Sequence, residues 1–349
     1  MARGHASRTP AASPAQLADF KVRYIILGAG AIGASIGARL YQAGRKVVLV
    51  ARGEHFLAIE RDGLHFAIPE GTYSLKIAIV DDVRSLALSP SDILILTTKS
   101  QDSDQLLAAV SRQPVGESSA GLALPILCAQ NGVHNERAAL RYFRRVYGIC
   151  VMMPAAHLRP GAVAAHSSPL MAALDIGRYP NGIDELCLDV AADFSACSIA
   201  SKARPQIMAW KYAKLLVNLG NALEAACGRG AAYEHLLGEV HREALACYAA
   251  AHITSIPLQD YRSYNQSVLH MGEVEGQAYQ GNSSWQSLAR ATGSIEADYL
   301  NGEIALLGRL YGIPTPVNEM LQRTANQMAK SLSPPGSLTV AELEARLSA

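Results

Sequence analysis

The stretch from Val22 to Val50 limits the fold more than any other part of the chain. "VRYIIL" (22–27) is a short, β-branched apolar run, as a buried parallel strand requires. "GAGAIG" (28–33) follows at once, "ASIGARLYQAG" reads as a helix ending at Gly44, and "KVVLV" (46–50) reads as a second strand. This is strand, glycine turn, helix, strand, in about thirty residues. Each glycine has a physical task. Gly28 permits the tight turn, Gly30 lets the backbone approach a pyrophosphate, and Gly33 lets the helix pack against the strand. Ala31 and Ile32 stand at the helix start, where free N–H groups and a partial positive charge favour phosphate. A glycine turn alone can be merely structural. The strand before it and the helix after it point to dinucleotide binding.

The end of the second strand bears on which dinucleotide. NAD-specific sites place an acid there for the ribose 2′-hydroxyl. Here "LVARGEHF" places Arg52 just beyond the strand. A guanidinium pairs bidentately with a 2′-phosphate and stacks on adenine, so NADP(H) is expected. Glu54 argues the other way, and a solvated surface arginine is the bland alternative. "SDILILTTKS" (91–100) is another strand, with Thr97, Thr98 and Lys99 at its carboxyl end, where ligands gather in open α/β sheets. Ordinary solvated lysines occupy such ends too. "LPILCAQNG" (124–132) repeats the pattern with Gln130, Asn131 and Gly132. Asn131 can bond a ligand or simply make the Asn-Gly turn. Strand-like pieces at 148–153, 161–166 and 170–177, a helix over 182–197 and a last strand at 198–203 complete this half.

After Pro205 the strand signals stop and an Ala- and Leu-rich helical region begins. Half of the 349 residues are hydrophobic, ample for two cores. The expected organisation is a disordered extension (1–20), an NADP-binding Rossmann-like domain (21–204), a helical substrate and dimerisation domain (205–332) and a tail (333–349) with a Pro-Gly linker and a short helix. The opening residues lack the apolar core of a secretory signal, and a transit peptide is the alternative to disorder. A net charge of +1 offers no electrostatic case for nucleic acid or an anionic membrane. No apolar run approaches the roughly 20 residues of a spanning helix. The cysteines Cys128, Cys150, Cys187, Cys197, Cys227 and Cys247 form no CxxC pair and no metal-ligand spacing, which reads as reduced thiols in a cytoplasmic protein.

"WKYAKLLVNLGNAL" (210–223) is apolar yet holds Lys211, Lys214, Asn218 and Asn221. On a continuous helix these four fall within about 80° of arc. So narrow a polar stripe suggests a wall facing a small polar cavity. A surface stripe with a snorkelling Lys211 is the alternative. Further on, Ser283 and Ser284 can be plain N-caps, and Glu296 a first-turn acid favoured by the helix dipole.

Together "GAGAIG", Arg52, "TTKS", "QNG", "WKYAKLLVN" and "SSWQSL…GSIEADYLNG" resemble the ketopantoate reductase (2-dehydropantoate 2-reductase) family, in the family's order, from about residue 22 to 320. The resemblance implies an α/β Rossmann-type N-terminal domain followed by an all-α C-terminal domain, with substrate and nicotinamide between them. It aligns Lys214 with the catalytic lysine, Asn218 with the asparagine one turn later and Glu296 with the active-site glutamate. Asn131 falls on the "NG" motif, Lys99 on the lysine after the fourth strand, and Ser284 on a substrate-carboxylate ligand. With Asn221, these are the expected catalytic and substrate residues. Gly28, Gly30, Ala31, Ile32, Gly33, Arg52, Lys99 and Asn131 are the expected cofactor residues. The implied activity is NADPH-dependent reduction of 2-dehydropantoate to (R)-pantoate for pantothenate and coenzyme A synthesis, by a cytoplasmic enzyme with a homodimer as its candidate assembly. The partner is a small 2-oxo acid, with no nucleic acid, membrane or metal.

There are departures. Ala222 stands where the family has a second asparagine, Trp285 replaces a methionine, and Leu288 replaces an aspartate. Trp285 and Leu288 are expected near the substrate pocket, so they bear on which oxo acid is reduced. The alternatives are a different 2-oxo acid, or a non-catalytic NADP(H) sensor, against which Lys214 and Glu296 argue.

Overall fold

The computed structural model describes residues 22–279 and 281–347. The extension expected over 1–20 lies outside the described residues. The chain opens with β1 (Arg23–Leu27), α1 (Ala31–Gln42), β2 (Lys46–Val50) and α2 (Gly53–Asp62), then β3 (Leu64–Ile68), β4 (Gly71–Leu75) and β5 (Ala78–Val80). It continues through β6 (Asp92–Leu96), α3 (Ser100–Ser111), the short hairpin β7 (Pro114–Val115) and β8 (Ser118–Ser119), α4 (Ala120–Ala123), β9 (Pro125–Cys128) and α5 (Asn135–Ala139). Then come β10 (Arg145–Met152), β11 (Ala155–Arg159), β12 (Ala162–Ala165), β13 (Ala172–Arg178), α6 (Glu185–Ser195) and β14 (Ile199–Ala200).

The main sheet runs β14-β13-β10-β9-β6-β1-β2-β5. Every pairing in it is parallel except β10 with β13. The central strands β1 and β6 are covered on both faces, which is why they read as unbroken apolar runs. From β1 the chain builds outward to β2 and β5, then crosses back to β6 on the other side. That reversal opens a crevice beyond the carboxyl ends of β1 and β6. A second sheet, β11-β12-β3-β4, covers α1.

All later elements are helical: α7 (Ile207–Asn218), α8 (Asn221–Cys227), α9 (Glu234–Ala250), α10 (Leu258–Val268), α11 (Ser283–Ala289), a 3₁₀ turn (Glu296–Tyr299), α12 (Asn301–Tyr311), α13 (Pro316–Lys330) and α14 (Val340–Leu347). Their shared core includes Leu215, Leu219, Leu223, Val240, Ile304 and Leu321.

Two expectations need correction. The helix expected over 210–223 is two helices, because Gly220 bonds back to Val217 and tightens the turn before Asn221. The strand expected over 198–203 keeps only Ile199 and Ala200, and Ala203 adds an isolated bridge to Ile176 of β13. The tail carries the expected short helix, α14, and that helix packs into the helical core. Leu343 is fully buried there, and Gly336 and Leu338 donate backbone hydrogen bonds to the carbonyls of Ala225 and Ala226 on α8.

The glycine turn depends on contact at Gly33. A Cβ there would lie 2.2 Å from the Gly28 carbonyl oxygen and 2.4 Å from Thr97 Oγ1. Gly28 itself has φ +108° and abuts Thr98. Gly33→Ala is therefore expected to cost about 1–3 kcal/mol through overpacking, read as a lower melting temperature than wild type. An unchanged melting curve would mean that helix and strand separate freely.

Candidate active site

The crevice beyond β1 and β6 and the helices above it enclose a cavity of about 520 Å³. Its sheet side is lined by Gly30, Ala31 and Ile32, by Thr97, Thr98 and Lys99 after β6, and by Gln130 and Asn131 after β9. Its helical side carries Lys214 and Asn218 of α7, Asn221 of α8, Ser283, Gln286 and Ser287 of α11, and Arg290, Thr292 and Glu296 beyond it. Thus Lys99, Asn131, Lys214, Asn218, Asn221 and Glu296, spread over about 200 residues of sequence, share one chamber.

The glycine cradle fits a dinucleotide pyrophosphate. A Cβ on Gly30 would meet nothing within 4 Å, so the backbone there faces open space. No side chain caps α1, and its first turn holds no acid. Its leading N–H groups therefore point into the cavity without an intrahelical acceptor. Arg52 is the exposed N-cap residue of α2 just beyond β2, outside this chamber.

Lys214 is part-buried, and no carboxylate lies within ion-pairing distance of it among the described residues. Burial pulls its pKa down to about 8. Lys211 pushes it further down, while Cys150 and Glu296 pull it up. The Cys150 thiol is itself pushed to about 11 by burial, so Glu296 supplies the opposing charge near neutrality. Asn218 is 7 % exposed, and its Nδ2 has no hydrogen-bond partner among the described residues. A buried amide left unpaired while facing a cavity is a donor available to a ligand.

Glu296 does not act as a first-turn acid of its own turn. Its Oε1 accepts from the Ser100 backbone N–H (3.0 Å) and from Ser100 Oγ (3.2 Å), so it sits on the start of α3. Asn135 Nδ2 donates to the same hydroxyl at 2.9 Å. Burial raises the Glu296 pKa, and these donors oppose that rise. Lys99 donates to Ser287 Oγ at 3.2 Å, joining the β6 loop to α11, and burial lowers its pKa. The asparagine–glycine turn forms, with Asn131 on the cavity wall. Gly132 takes φ +76°, where its Cβ would strike the Tyr299 carbonyl, and Asn131 faces the cavity.

Other expectations are displaced by helix phase. Asn282 Oδ1 caps α11, so neither serine does. Ser283 lines the cavity, whereas Ser284 is buried away from it. Trp285 and Leu288 also turn away, into the helical core. The wall of α11 presents Ser283, Gln286 and Ser287, with Arg290 one turn on. Lys211 is neither a cavity residue nor a surface lysine. It is 3 % exposed, forms an ion pair with Glu136 of α5 and donates to the Gln130 carbonyl at 3.1 Å. Sequence reading missed Ser100, Glu136 and Arg290. Only Ser100 left a local signal, as the residue after Lys99.

A Rossmann-like domain roofed by helices, with an ammonium, amides and a carboxylate at the carboxyl ends of its strands, has the architecture of a two-domain oxidoreductase. The chain belongs to the ketopantoate reductase family. The family model "Ketopantoate reductase PanE/ApbA" matches residues 24–181, and its C-terminal counterpart matches 206–329. The 2-dehydropantoate 2-reductase of Pyrococcus horikoshii is 29% identical over 86% of this chain and 95% of its own. A PanE/ApbA family ketopantoate reductase from Ralstonia eutropha JMP134 superposes with a TM-score of 0.73 at 25% identity, over 89% of this chain and 99% of its own. D-Mandelate dehydrogenase, solved with NADH and anilino(oxo)acetate, shares the fold at 22% identity and a TM-score of 0.75, over 90% of this chain and 100% of its own.

A protonated Lys214 is the form able to give up a proton. Reductive kcat/KM is therefore expected to fall as pH rises through about 8. A rate flat from pH 6 to 10 in a pH titration would remove Lys214 from the proton step.

Proposed function

We propose that this protein is an NADPH-dependent reductase of 2-dehydropantoate, forming (R)-pantoate for pantothenate and coenzyme A synthesis. The observation that carries the reading is the half-buried ammonium of Lys214 beside the unpaired Asn218 amide, in one chamber with the bare start of α1. The curated relatives named for this reaction support the substrate. Arg52 beyond β2 supports NADPH over NADH. We also read the protein as a cytoplasmic homodimer. The exposed Leu306, Leu310 and Tyr311 of α12 support self-association.

Bound NADPH would supply the hydride, and the backbone of Gly30, Ala31 and Ile32 would hold its phosphates. The remaining work falls to side chains. Lys214 Nζ faces the ketone oxygen, offsets its growing negative charge and donates the proton that makes it a hydroxyl. A pKa near 8 keeps that proton in place at neutrality and makes its release easier than from a solvated lysine. Asn218 Nδ2 orients the ammonium or a substrate hydroxyl. Asn131, Asn221 and Ser283 hold the carboxylate, with Ser283 taking the part first given to Ser284. Glu296, gripped by Ser100 through Oε1, turns its remaining acceptor capacity to a hydroxyl or water.

A second reading, the same chemistry on another 2-oxo acid, draws on Arg290. It adds a cation to the cavity wall next to Gln286. NADPH oxidation by the purified protein, with 2-dehydropantoate and a panel of other 2-oxo acids, separates the two. Preferred turnover of another acid would overturn the substrate assignment.

Lys214→Ala is expected to cut kcat by about 10²- to 10⁴-fold while NADPH binding, followed by fluorescence, persists. Undiminished turnover would sink the role of Lys214. Arg52→Ala is expected to weaken NADPH binding by about 10-fold or more and leave NADH binding unchanged. Equal loss for both coenzymes would refute the 2′-phosphate contact.

A further inference from the structure

Beneath the cavity floor lies an ion pair that the reaction as described does not use. Lys211 of α7 and Glu136 of α5 are both buried. They pair beneath Gly148 of β10, where a Cβ would stand 3.4 Å from Glu136 Oε1 and 3.5 Å from Lys211 Cδ. Glu136 Oε2 has no hydrogen bond among the described residues. Burying such a pair is expensive, and well-packed apolar residues often replace one at no loss of stability. Stability alone therefore does not account for it.

Its placement suggests what does. Lys211 also donates to the carbonyl of Gln130, the peptide immediately before Asn131. The Gln130 side chain reaches the other way, donating to the Thr98 carbonyl and to Ser103 Oγ, each at 2.7 Å. The "QNG" and "TTKS" turns are thus locked to each other and, through Lys211, to the helix that carries Lys214. Lys211 and Lys214 are three residues apart on α7, about one turn.

We propose that Lys211 is a positioning residue for the reduction: it fixes the backbone that presents Asn131 and holds a second, carboxylate-paired cation one turn from Lys214. The proposal rests on the assignment of Lys214 as the proton donor. The groups that face Lys214 are Cys150 from β10, Glu296 from the 3₁₀ turn and Lys211 on its own helix. Of the buried pair, Lys211 stands one turn from Lys214 on the same helix, whereas Glu136 stands on α5. Like charge disfavours the protonated lysine, so removing Lys211 makes Lys214 hold its proton to higher pH.

The test compares pH profiles of kcat/KM for wild type, Lys211→Met/Glu136→Met and Lys211→Arg in the full chain. The double variant leaves no buried charge alone, so it is expected to fold, which a melting curve checks. Its alkaline limb is expected about 0.5–1 pH unit above that of wild type. Lys211→Arg, which keeps the charge, is expected to hold the limb in place whatever it costs in kcat. A purely structural role would change kcat or KM in the double variant and leave the limb where it was, and that result overturns the proposal. Lys214→Ala, run alongside, guards the underlying assignment. If it retains the wild-type limb, Lys214 is not the titrating donor, and both the assignment and the proposal fall. If only the double-variant limb stays put, the assignment of Lys214 stands and the role of Lys211 falls.

Discussion

A carboxylate from the helical half of the chain rests on the first amide of a helix in the sheet half. The Glu296–Ser100 contact settles how two neighbouring helix starts are used. α1 follows β1 and α3 closely follows β6, and these strands are adjacent, so two partial positive charges stand side by side at the mouth of the crevice. The protein satisfies α3 with its own acid and leaves α1 bare. An incoming anion is thereby directed to one of two otherwise similar places. The contact also brings the 3₁₀ turn against the sheet, and with it the roof that turns an open crevice into a chamber.

The chamber's polar groups fall into two sets. Among the described residues, the Asn218 amide nitrogen is unpaired, Lys214 has no carboxylate partner, and the start of α1 has no side-chain cap. Others are anchored through part of their bonding capacity: Gln130 by Thr98 and Ser103, Asn135 by Ser100, and Lys211 by Glu136, while Gln130 Oε1, Asn135 Oδ1 and Glu136 Oε2 have no partner. Pre-arranged polar groups cost little reorganisation when charge develops on a substrate. The anchored set holds the first one still.

Much of this was legible in the sequence, and the remainder fails for definite reasons. The Val22–Val50 unit is local, since its strand, turn and helix are neighbours in sequence as in space. The polar residues at the ends of β6 and β9 follow from the rule that parallel strands deliver ligands at their carboxyl ends. What escaped depends on helix phase or on distance. Ser283 and Ser284 differ by about 100° around α11, so a family match could place the pair without saying which one faces inward. Trp285 and Leu288 sit on the opposite side from Gln286 and Ser287 for the same reason. Lys211 looked like a surface lysine because its partner, Glu136, is 75 residues away and carries no motif. The break at Gly220 escaped because two αR residues with a shortened hydrogen bond leave little trace in an otherwise helical pattern.

Gln130 has a mechanical consequence. Its side chain is tied to the sheet loops while its carbonyl is tied to α7. The bonds from Glu296 to Ser100 join the helical half to the start of α3 at a second place. Two separate ties between the halves resist twisting where a single one would allow it.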